Sequence, residues 1–436
     1  MRIVLIGAGS FVFGAGLIAD LILVHRRAGT HLALVDPRAP HLEDLAGYAR
    51  RLAADTGVAV TVSTHRERAA ALAGADAVIL SASPGGVAAW RADREVLAAH
   101  GLAAQARECG GLGGLVNACR SIALVLEVCA DMRRLCPQAG LWDVTNPMPR
   151  VVAAANRFGG VRTHGFCNAA WGGADGYRNV ASYLGREPAE LEVVSAGLNH
   201  FTWLLAVRDR ASGADLLPQI EANVRAGVAG PFGDPAVVAG WLERFGAVPL
   251  AGWTHHGEYL EPDPRIPVDA PYHGDPAERA ALLAEIADLA AGRRDWRQRR
   301  PAGAWEHPLD LIFAIADRTA IRLDMVNQPN AGHLPELPAG ATVETPLAVV
   351  DGVTRPVTLP ALPPQVAVIC RRVSQVNELV AAGAATGNRE LLLEALRLDP
   401  AIPDAGAAEP VLSELLERNA AFLPSFFPQR AARSGS

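Results

Sequence analysis

The chain carries a cysteine and a histidine, Cys167 and His200, at positions from which both side chains could reach one cleft. Cys167 follows an apolar run that ends at Phe166, and His200 stands between the apolar runs 192–198 and 201–207. A thiolate and an imidazole can share a divalent cation and leave coordination positions open for substrate oxygens. The softness of these two donors favours zinc. Because single cysteines and histidines are more often core residues than ligands, the spacing alone leaves both interpretations open.

A second group of chemically active side chains lies in the segment His255-His256-Gly257-Glu258-Tyr259, the densest titratable cluster of the chain. A solvated loop would explain this cluster as well as an active site does. Asn146 follows the apolar run 141–144, and at the carboxyl edge of a parallel sheet it would face a ligand. Since Asn-Pro is also a common turn signal, Asn146-Pro147 has a structural explanation too.

A glycine turn, Gly7-x-Gly9 followed by Ser10 and Phe11, connects the apolar run 2–6 to a helical pattern. Such a turn lets the backbone approach a pyrophosphate, whose charge then lies at the N-terminus of the helix. Val12 stands where the dinucleotide-binding pattern has its third glycine, so the motif is incomplete.

Asp36 closes the second apolar run, 32–35, and can accept hydrogen bonds from the 2′-hydroxyl of a ribose. A 2′-phosphate would be repelled there, which favours NAD over NADP, although Arg38 lies close by and weakens this preference. A helix cap before Pro37 is the alternative role for Asp36.

The composition excludes several classes of function. The formal charge of −6 offers no broad cationic surface for a nucleic acid. The chain contains no lysine, which excludes Schiff-base and lysine general-base chemistry. The six cysteines form no CxxC pair and no regular disulfide framework, the N-terminus does not read as a signal peptide, and no run reaches about 18 apolar residues. These features predict a cytoplasmic protein without a membrane span.

Apolar runs that alternate with helical patterns over about the first 170 residues predict an α/β fold with a doubly wound parallel sheet. Beyond this point the pattern changes, and the apolar runs around His200 predict a second, mixed α+β domain. We predict a nucleotide-binding domain over residues 1–190, a substrate- and metal-binding domain that also mediates oligomerisation over 191–428, and a disordered tail over 429–436.

Taken together, these motifs resemble glycoside hydrolase family 4, the NAD- and metal-dependent glycosidases, over nearly the whole chain. Gly197–Trp203 and Phe245–Pro249 are most similar to the branch that includes α-galacturonidases. The residues that carry the resemblance are Ile6–Ser10, Arg91, Gln105, Gly113-Gly114, Arg120, Thr145–Pro147, Cys167-Asn168, Gly197–His200, Glu258-Tyr259 and Asn327–Asn330.

The resemblance implies an N-terminal domain like that of lactate and malate dehydrogenases, and a reaction that explains why paired carboxylates need not be found. In this reaction NAD oxidises the sugar at C3, and a base then removes the proton at C2. The glycosidic oxygen is eliminated, water adds to the product, and NADH finally returns the hydride to C3. Cys167 and His200 would hold the metal, for which the family implies manganese rather than zinc. Tyr259 would be the base at C2. Asn146, Asn199 and Arg120 would orient sugar hydroxyls or the nicotinamide.

Two departures from the family pattern bear on the substrate. Many members carry an acid immediately after the metal-binding cysteine, whereas Asn168 has no proton to give, so His256 or Glu258 is expected to protonate the leaving oxygen. The stretch 105–114 differs from the Gln-Glu-Thr-Thr-Gly-Pro-Gly-Gly stretch that is usual in the family, and it is longer. Arg91 and Arg107 are candidates to pair with an anionic glycoside, a uronide or a sugar phosphate. The family also implies a homodimer or homotetramer.

Two other activities fit the same residues. A non-hydrolytic NAD-dependent sugar dehydrogenase or epimerase would need no acid, which agrees with Asn168. A 2-hydroxy-acid dehydrogenase shares the expected N-terminal fold and a Thr-Asn-Pro motif, but it should carry a Gly-Glu-His-Gly segment where this chain has Gly-Leu-Asn-His.

Overall fold

The computed structural model describes residues 1–10, 13–38, 40–169, 177–268, 275–298 and 306–428. The strands in these ranges are β1 Arg2–Ile6, β2 Thr30–Val35, β3 Val60–His65, β4 Ala77–Leu80, β5 Gly140–Asp143, β6 Thr163–Gly165, β7 Leu191–Leu198, β8 Phe201–Asp209, β9 Ile321–Pro329, β10 Thr342–Val350 and β11 Val353–Pro356. The α-helices are α1 Gly14–Ala19, α2 Leu42–Thr56, α3 Arg68–Leu72, α4 Gly86–Ala99, α5 Gly111–Leu135, α6 Met148–Ala154, α7 Arg178–Tyr183, α8 Leu217–Arg225, α9 Pro235–Phe245, α10 Trp253–Gly257, α11 Pro276–Ala291, α12 Pro308–Asp317, α13 Pro364–Thr386, α14 Arg389–Leu398 and α15 Ala405–Arg418. Two π-helical turns, Asp20–Val24 and Ala155–Gly159, continue α1 and α6.

The strands form one sheet in the order β3-β2-β1-β4-β5-β6-β9-β10-β7-β8, with β11 paired to β10. Strands β1 to β6 are parallel, and their order is that of a doubly wound dinucleotide-binding fold. Strands β1 and β4 consist almost wholly of buried aliphatic residues, because helices cover both faces of a parallel sheet. The predicted fold class is therefore confirmed.

The sheet continues past the parallel part, where Gly165 of β6 pairs antiparallel with Asn327 of β9. Helices from the C-terminal half also cover the parallel strands: α13, α14 and α15 share one core with α5, while α11 and α12 share another with α1 and α2. A single sheet and shared cores thus run across residue 190. The predicted division into domains there stays a prediction.

Helix α5 is the one stretch among the described residues that is long and apolar enough to cross a membrane. Most of its residues are buried among the helices and strands of the protein. It is accordingly a core helix.

The apolar runs 2–6, 32–35, 141–144, 192–198 and 201–207 coincide within two residues with β1, β2, β5, β7 and β8. The prediction did not include β9, β10 and β11. Residues 269–274 lie outside the described residues. The tail 429–436 also lies outside them, so its disorder stays a prediction.

Candidate active site

A cleft of about 1430 Å³ opens at the carboxyl ends of the parallel strands. This is the edge at which doubly wound sheets bind their ligands, and the volume exceeds the 300–1,000 Å³ typical of small-molecule pockets, so a dinucleotide and a sugar would fit together. Its lining includes Gly7, Gly9, Ser10, Asp36, Arg38, Trp90, Asn146, Cys167, Asn168, His200, His255 and Glu306.

The glycine turn forms one end of this cleft. Gly7 adopts φ +80°, and a Cβ there would lie 2.1 Å from the carbonyl oxygen of Ser81, so only glycine fits. The amide of Gly9 donates a 3.1 Å hydrogen bond to Asp36 Oδ2, and the Arg38 amide donates to Asp36 Oδ1. The carboxylate at the end of β2 is therefore held against the turn, while Phe11 lies outside the described residues.

Gly14 takes over the packing role of the missing third glycine. A Cβ at Gly14 would lie 2.1 Å from the carbonyl oxygen of Ala8, so α1 can approach the turn closely only through this residue. The sequence-based prediction missed it because it stands two positions beyond the usual place.

Asn146 lies beyond β5 and lines the middle of the cleft, as predicted for a residue at the carboxyl edge. The Ser121 hydroxyl donates a 2.9 Å hydrogen bond to the Asn146 carbonyl oxygen, and the peptide bond from Asn146 to Pro147 is cis. The side-chain oxygen of Asn146 is buried, and no described residue hydrogen-bonds to it. This amide is thus available to a ligand.

His200 occupies the two-residue turn between β7 and β8. It adopts φ +61°, a left-handed conformation that is uncommon for a residue with a side chain and that marks many functional sites. Its side chain is buried, with only 2% of its surface exposed, yet it lines the cleft.

Glu344 on β10 holds the turn between β7 and β8 in place through hydrogen bonds. Its carboxylate accepts hydrogen bonds from Asn199 Nδ2 at 2.8 Å, Asn327 Nδ2 at 2.9 Å and Thr202 Oγ1 at 2.5 Å. Asn327 is also the residue that pairs with Gly165, two residues before Cys167. One buried carboxylate therefore links the segment that carries His200 to the segment that carries Cys167, and the sequence analysis did not single it out.

The structure brings Cys167 and His200 together. Burial alone would lower the pKa of His200, but the nearby thiols of Cys109 and Cys167 raise this pKa well above its usual value. Thiolate and imidazole donors that share a cleft fit a divalent cation. The sequence-based expectation that the two side chains meet agrees with this arrangement.

Cys109 is the functional candidate that the sequence analysis missed. It is fully buried, and its thiol, a ring nitrogen of His200 and a carboxylate oxygen of Glu258 all lie within 4.8 Å of one another. The altered stretch 105–114 contained the signal, because it introduces a thiol immediately before the glycines that begin α5.

Glu258 is a carboxylate that organises the site. Its Oε2 accepts hydrogen bonds from the amides of Cys109 at 2.6 Å and Gly110 at 3.2 Å, and Oε1 lies 3.5 Å from His200 Nδ1. Burial would raise its pKa, but the hydrogen bond and charge of His200, with further contributions from His255 and the Cys109 amide, lower the pKa overall. A lowered pKa argues against the expected role of Glu258 as the acid that protonates the leaving oxygen.

His256 does not face the cleft. Its ring is fully buried between Phe201, Trp203 and Trp241, and Nδ1 contacts the Gly252 carbonyl oxygen at 3.2 Å. Burial lowers its pKa to about 3, so the ring is neutral at pH 7. Both facts argue against the predicted role as the acid.

The preceding residue, His255, lines the cleft instead. Its ring packs edge-on against that of His200, with 4.3 Å between the centroids. Burial and the neighbouring His200 lower its pKa to about 4, so it is neutral at pH 7. Because α10 is a short helix, adjacent histidines point in different directions, and sequence alone did not distinguish them.

Tyr259 lies next to the metal-binding candidates. Its ring packs 5.7 Å from that of Phe201, and none of the described residues hydrogen-bonds to its buried hydroxyl. Burial and Cys109 raise its pKa, while the charges of His200 and Arg150 act in the opposite direction. Arg150 is itself fully buried and donates through Nε to Asn377 Oδ1 at 2.9 Å.

Four residues predicted to contact substrate or nicotinamide have other surroundings. Arg120 donates to Asp93 and Asn419 at 2.5 and 2.8 Å, which neutralises a guanidinium that does reach the cleft wall. Arg107 donates to the carbonyl oxygens of Pro267, Ile266 and Ala104. Arg91 is exposed on α4 and, like Asn199, does not line the cleft. Asn168 does line it, beside Cys167.

Comparison with known proteins identifies the family. A family model for "Family 4 glycosyl hydrolase" matches residues 2–182, and a model for its C-terminal domain matches residues 195–402. Relatives include an α-glucosidase of Erwinia rhapontici, 25% identical over 97% of this chain and 98% of that protein. An α-galacturonidase of Bacillus subtilis is 27% identical over 96% of this chain and 97% of that protein.

The fold agrees with this family. A solved 6-phospho-α-glucosidase from gut microorganisms, in complex with NAD and Mn²⁺, is similar with a TM-score of 0.81 and 22% identity, over 97% of this chain and 99% of that chain. The family models decide against a plain 2-hydroxy-acid dehydrogenase, since they match both halves of the chain. The chain therefore belongs to family 4 of the glycosyl hydrolases.

Proposed function

We propose that this family 4 glycosyl hydrolase cleaves an anionic glycoside by transient oxidation at C3 and elimination across C2, with NAD and a divalent cation as cofactors. The observation that carries the proposal is that Cys167 and His200 line the same cleft as Gly7 and Gly9 of the glycine turn. Dinucleotide-binding geometry and soft metal donors thus occur in one cavity.

The nucleotide end supports NAD. The carboxylate of Asp36 lies beside the turn and would accept a ribose hydroxyl, whereas it would repel a 2′-phosphate. The related 6-phospho-α-glucosidase structure contains NAD and Mn²⁺, which agrees with the cofactors expected here.

Cys167 and His200 would hold the cation, and Asn146 and Asn168 would orient the nicotinamide or sugar hydroxyls from the cleft wall. When bound, the two cofactors supply hydride transfer at C3 and the Lewis acidity that makes the C2 hydrogen acidic. Oε1 of Glu258, 3.5 Å from His200 Nδ1, would hold the orientation of this ring, as carboxylates near ligating histidines commonly do.

Tyr259 is our candidate for the base that removes the C2 proton. Burial raises the pKa of Tyr259 overall, and the charges of His200 and Arg150 oppose this shift only in part. The bound cation would have to supply the remaining stabilisation of the phenolate. Asn168 has no acidic proton, and His255 is neutral at pH 7, so neither serves as the acid for the leaving oxygen.

The substrate is proposed to be a uronide or a sugar phosphate. This rests on the named activities of relatives, an α-galacturonidase and a 6-phospho-α-glucosidase. The predicted homodimer or homotetramer and the cytoplasmic location stay predictions.

A non-hydrolytic sugar dehydrogenase or epimerase is the second candidate, favoured by the amide at position 168 beside Cys167. Net accumulation of NADH, or an epimerised sugar without loss of the aglycone, would identify that activity.

The test is a screen of aryl α- and β-glycosides, uronides and 6-phosphoglycosides with NAD and Mn²⁺ in heavy water. The proposal predicts release of the aglycone and a sugar product that carries deuterium at C2. Release without deuterium at C2 would argue for direct displacement and overturn the proposed route.

A further inference from the structure

The thiol of Cys109 gives the site a second soft donor close to both His200 and Glu258. The ligand atoms of Cys109, His200 and Glu258 lie within 4.8 Å of one another, close enough for one ion to contact all three. The backbone of Cys109 is fixed at this place, because its amide donates a 2.6 Å hydrogen bond to Glu258 Oε2.

Cys167 lines the cleft together with His200 and acts electrostatically on the same ring. Among the described residues, the closest group of ligand atoms at this ring is that of Cys109, His200 and Glu258. Glu258 Oε2 already accepts two amides, whereas Oε1 is the oxygen that lies 3.5 Å from His200 Nδ1. Cys109 also packs in an apolar cluster with Phe201 and Trp203. If Cys109 only filled this apolar core, a histidine and a carboxylate would not need to lie at metal-ligand distance from its thiol.

We propose that Cys109 is a second thiolate ligand of the ion held by Cys167 and His200, and that the site therefore binds zinc more tightly than manganese. The inference rests on the proposed function, which assigns the ion to Cys167 and His200. On binding, each thiol transfers its proton to water, so one divalent ion replaces two protons. Two thiolates and an imidazole form a soft donor set, which selects zinc-like ions over oxygen-preferring manganese.

Co²⁺ alone, added to the full-length protein, serves as a spectroscopic probe, because each thiolate ligand contributes to the ultraviolet sulfur-to-cobalt absorption band. We compare the wild type with Cys109→Ser, Cys167→Ser and the control Cys129→Ser, which alters a fully buried cysteine within α5. We expect Cys109→Ser and Cys167→Ser each to lose about half of the band, and the control to keep all of it. A full band in Cys109→Ser would overturn the inference.

The two assignments fail separately in this experiment. Loss of intensity in Cys109→Ser with a full band in Cys167→Ser would support Cys109 as a ligand and remove Cys167 from the proposed metal pair. The reverse result would keep that pair and overturn the role of Cys109.

X-ray absorption of the zinc-loaded wild type counts sulfur ligands without any substitution. Two sulfurs at about 2.3 Å support the inference, and one sulfur overturns it. In metal competition, Cys109→Ser should reduce the preference for Zn²⁺ over Mn²⁺ by at least about tenfold. An unchanged preference would overturn the claim that Cys109 determines which ion is bound.

Discussion

Oε1 of Glu258 lies 3.5 Å from Nδ1 of His200, and both side chains are almost completely buried. The other oxygen of Glu258 holds the amides that precede α5, so a single carboxylate fixes the imidazole and the segment that carries Cys109. This relationship makes the orientation of His200 depend on a charge that contacts no substrate.

Glu258→Gln should weaken metal binding by about 10- to 100-fold, because the amide lacks the charge that orients and polarises His200. The amide oxygen can still accept the Cys109 and Gly110 hydrogen bonds, so the fold should persist. Equilibrium dialysis with Mn²⁺ measures the change, and Glu261→Gln, which alters an exposed glutamate three residues later, is the control. Unchanged affinity in Glu258→Gln would contradict the positioning role.

Tyr259→Phe should lower kcat by about 10²- to 10⁴-fold, the usual contribution of a general base, while leaving NAD affinity unchanged. The substitution removes one hydroxyl for which the described residues offer no partner, so the cost to stability should be small. Tyr183→Phe, which removes a surface hydroxyl bonded to the Val228 carbonyl oxygen, is the matched control. Steady-state kinetics decides, and equal loss in both variants would exclude Tyr259 as the base.

Asp36→Asn should raise the dissociation constant for NAD about tenfold, since hydrogen bonds to a charged acceptor contribute roughly 1.5–3 kcal/mol. It should also reduce discrimination against NADP, because the carboxylate no longer repels a 2′-phosphate. Titration of NADH fluorescence with each variant measures both effects. If Asp36→Asn still prefers NAD over NADP to the same extent, the role of Asp36 is limited to the hydrogen bond with the Gly9 amide.

The buried ring of His256 predicts acid sensitivity. Burial lowers its pKa from 6.5 to about 3. Between these two pH values His256 is therefore protonated in the unfolded chain but neutral in the folded chain. Stability should therefore fall as the pH drops, by about 2 kcal/mol between pH 7 and pH 5 for this group alone. Urea titrations at both pH values should show a smaller loss in His256→Gln than in the wild type. His100→Gln, at an exposed site, is the control, and equal losses in all three proteins would refute the prediction.

The parallel half of the fold could be predicted because β1, β2 and β4 are short, largely apolar runs followed by turn residues, as in Arg2–Ile6 before Gly7. Strands β9 to β11 could not be predicted as readily. Polar residues of these strands, such as Asn327 and Glu344, are buried because they hydrogen-bond to each other across the sheet. The pattern of a single sequence does not show such pairings.

The site divides in the same way. Cys167, His200 and Asn146 follow strand ends, and topology brings strand ends together, so their meeting could be expected. Cys109 lies in an irregular segment whose approach to His200 depends on contacts between residues far apart in the chain. Whether His255 or His256 faces the cleft depends on how α10 packs against Trp203 and Trp241, which spacing does not reveal.

The most direct test of the central claim, that Cys167 and His200 hold the ion beside the nucleotide, is the number of Mn²⁺ ions bound per chain. It should be measured by electron paramagnetic resonance in the wild type, Cys167→Ala and His200→Ala, with NAD binding determined in parallel. We predict one ion in the wild type, a strong loss in both variants, and unchanged NAD affinity in all three. Full Mn²⁺ binding and full activity in either variant would contradict the account.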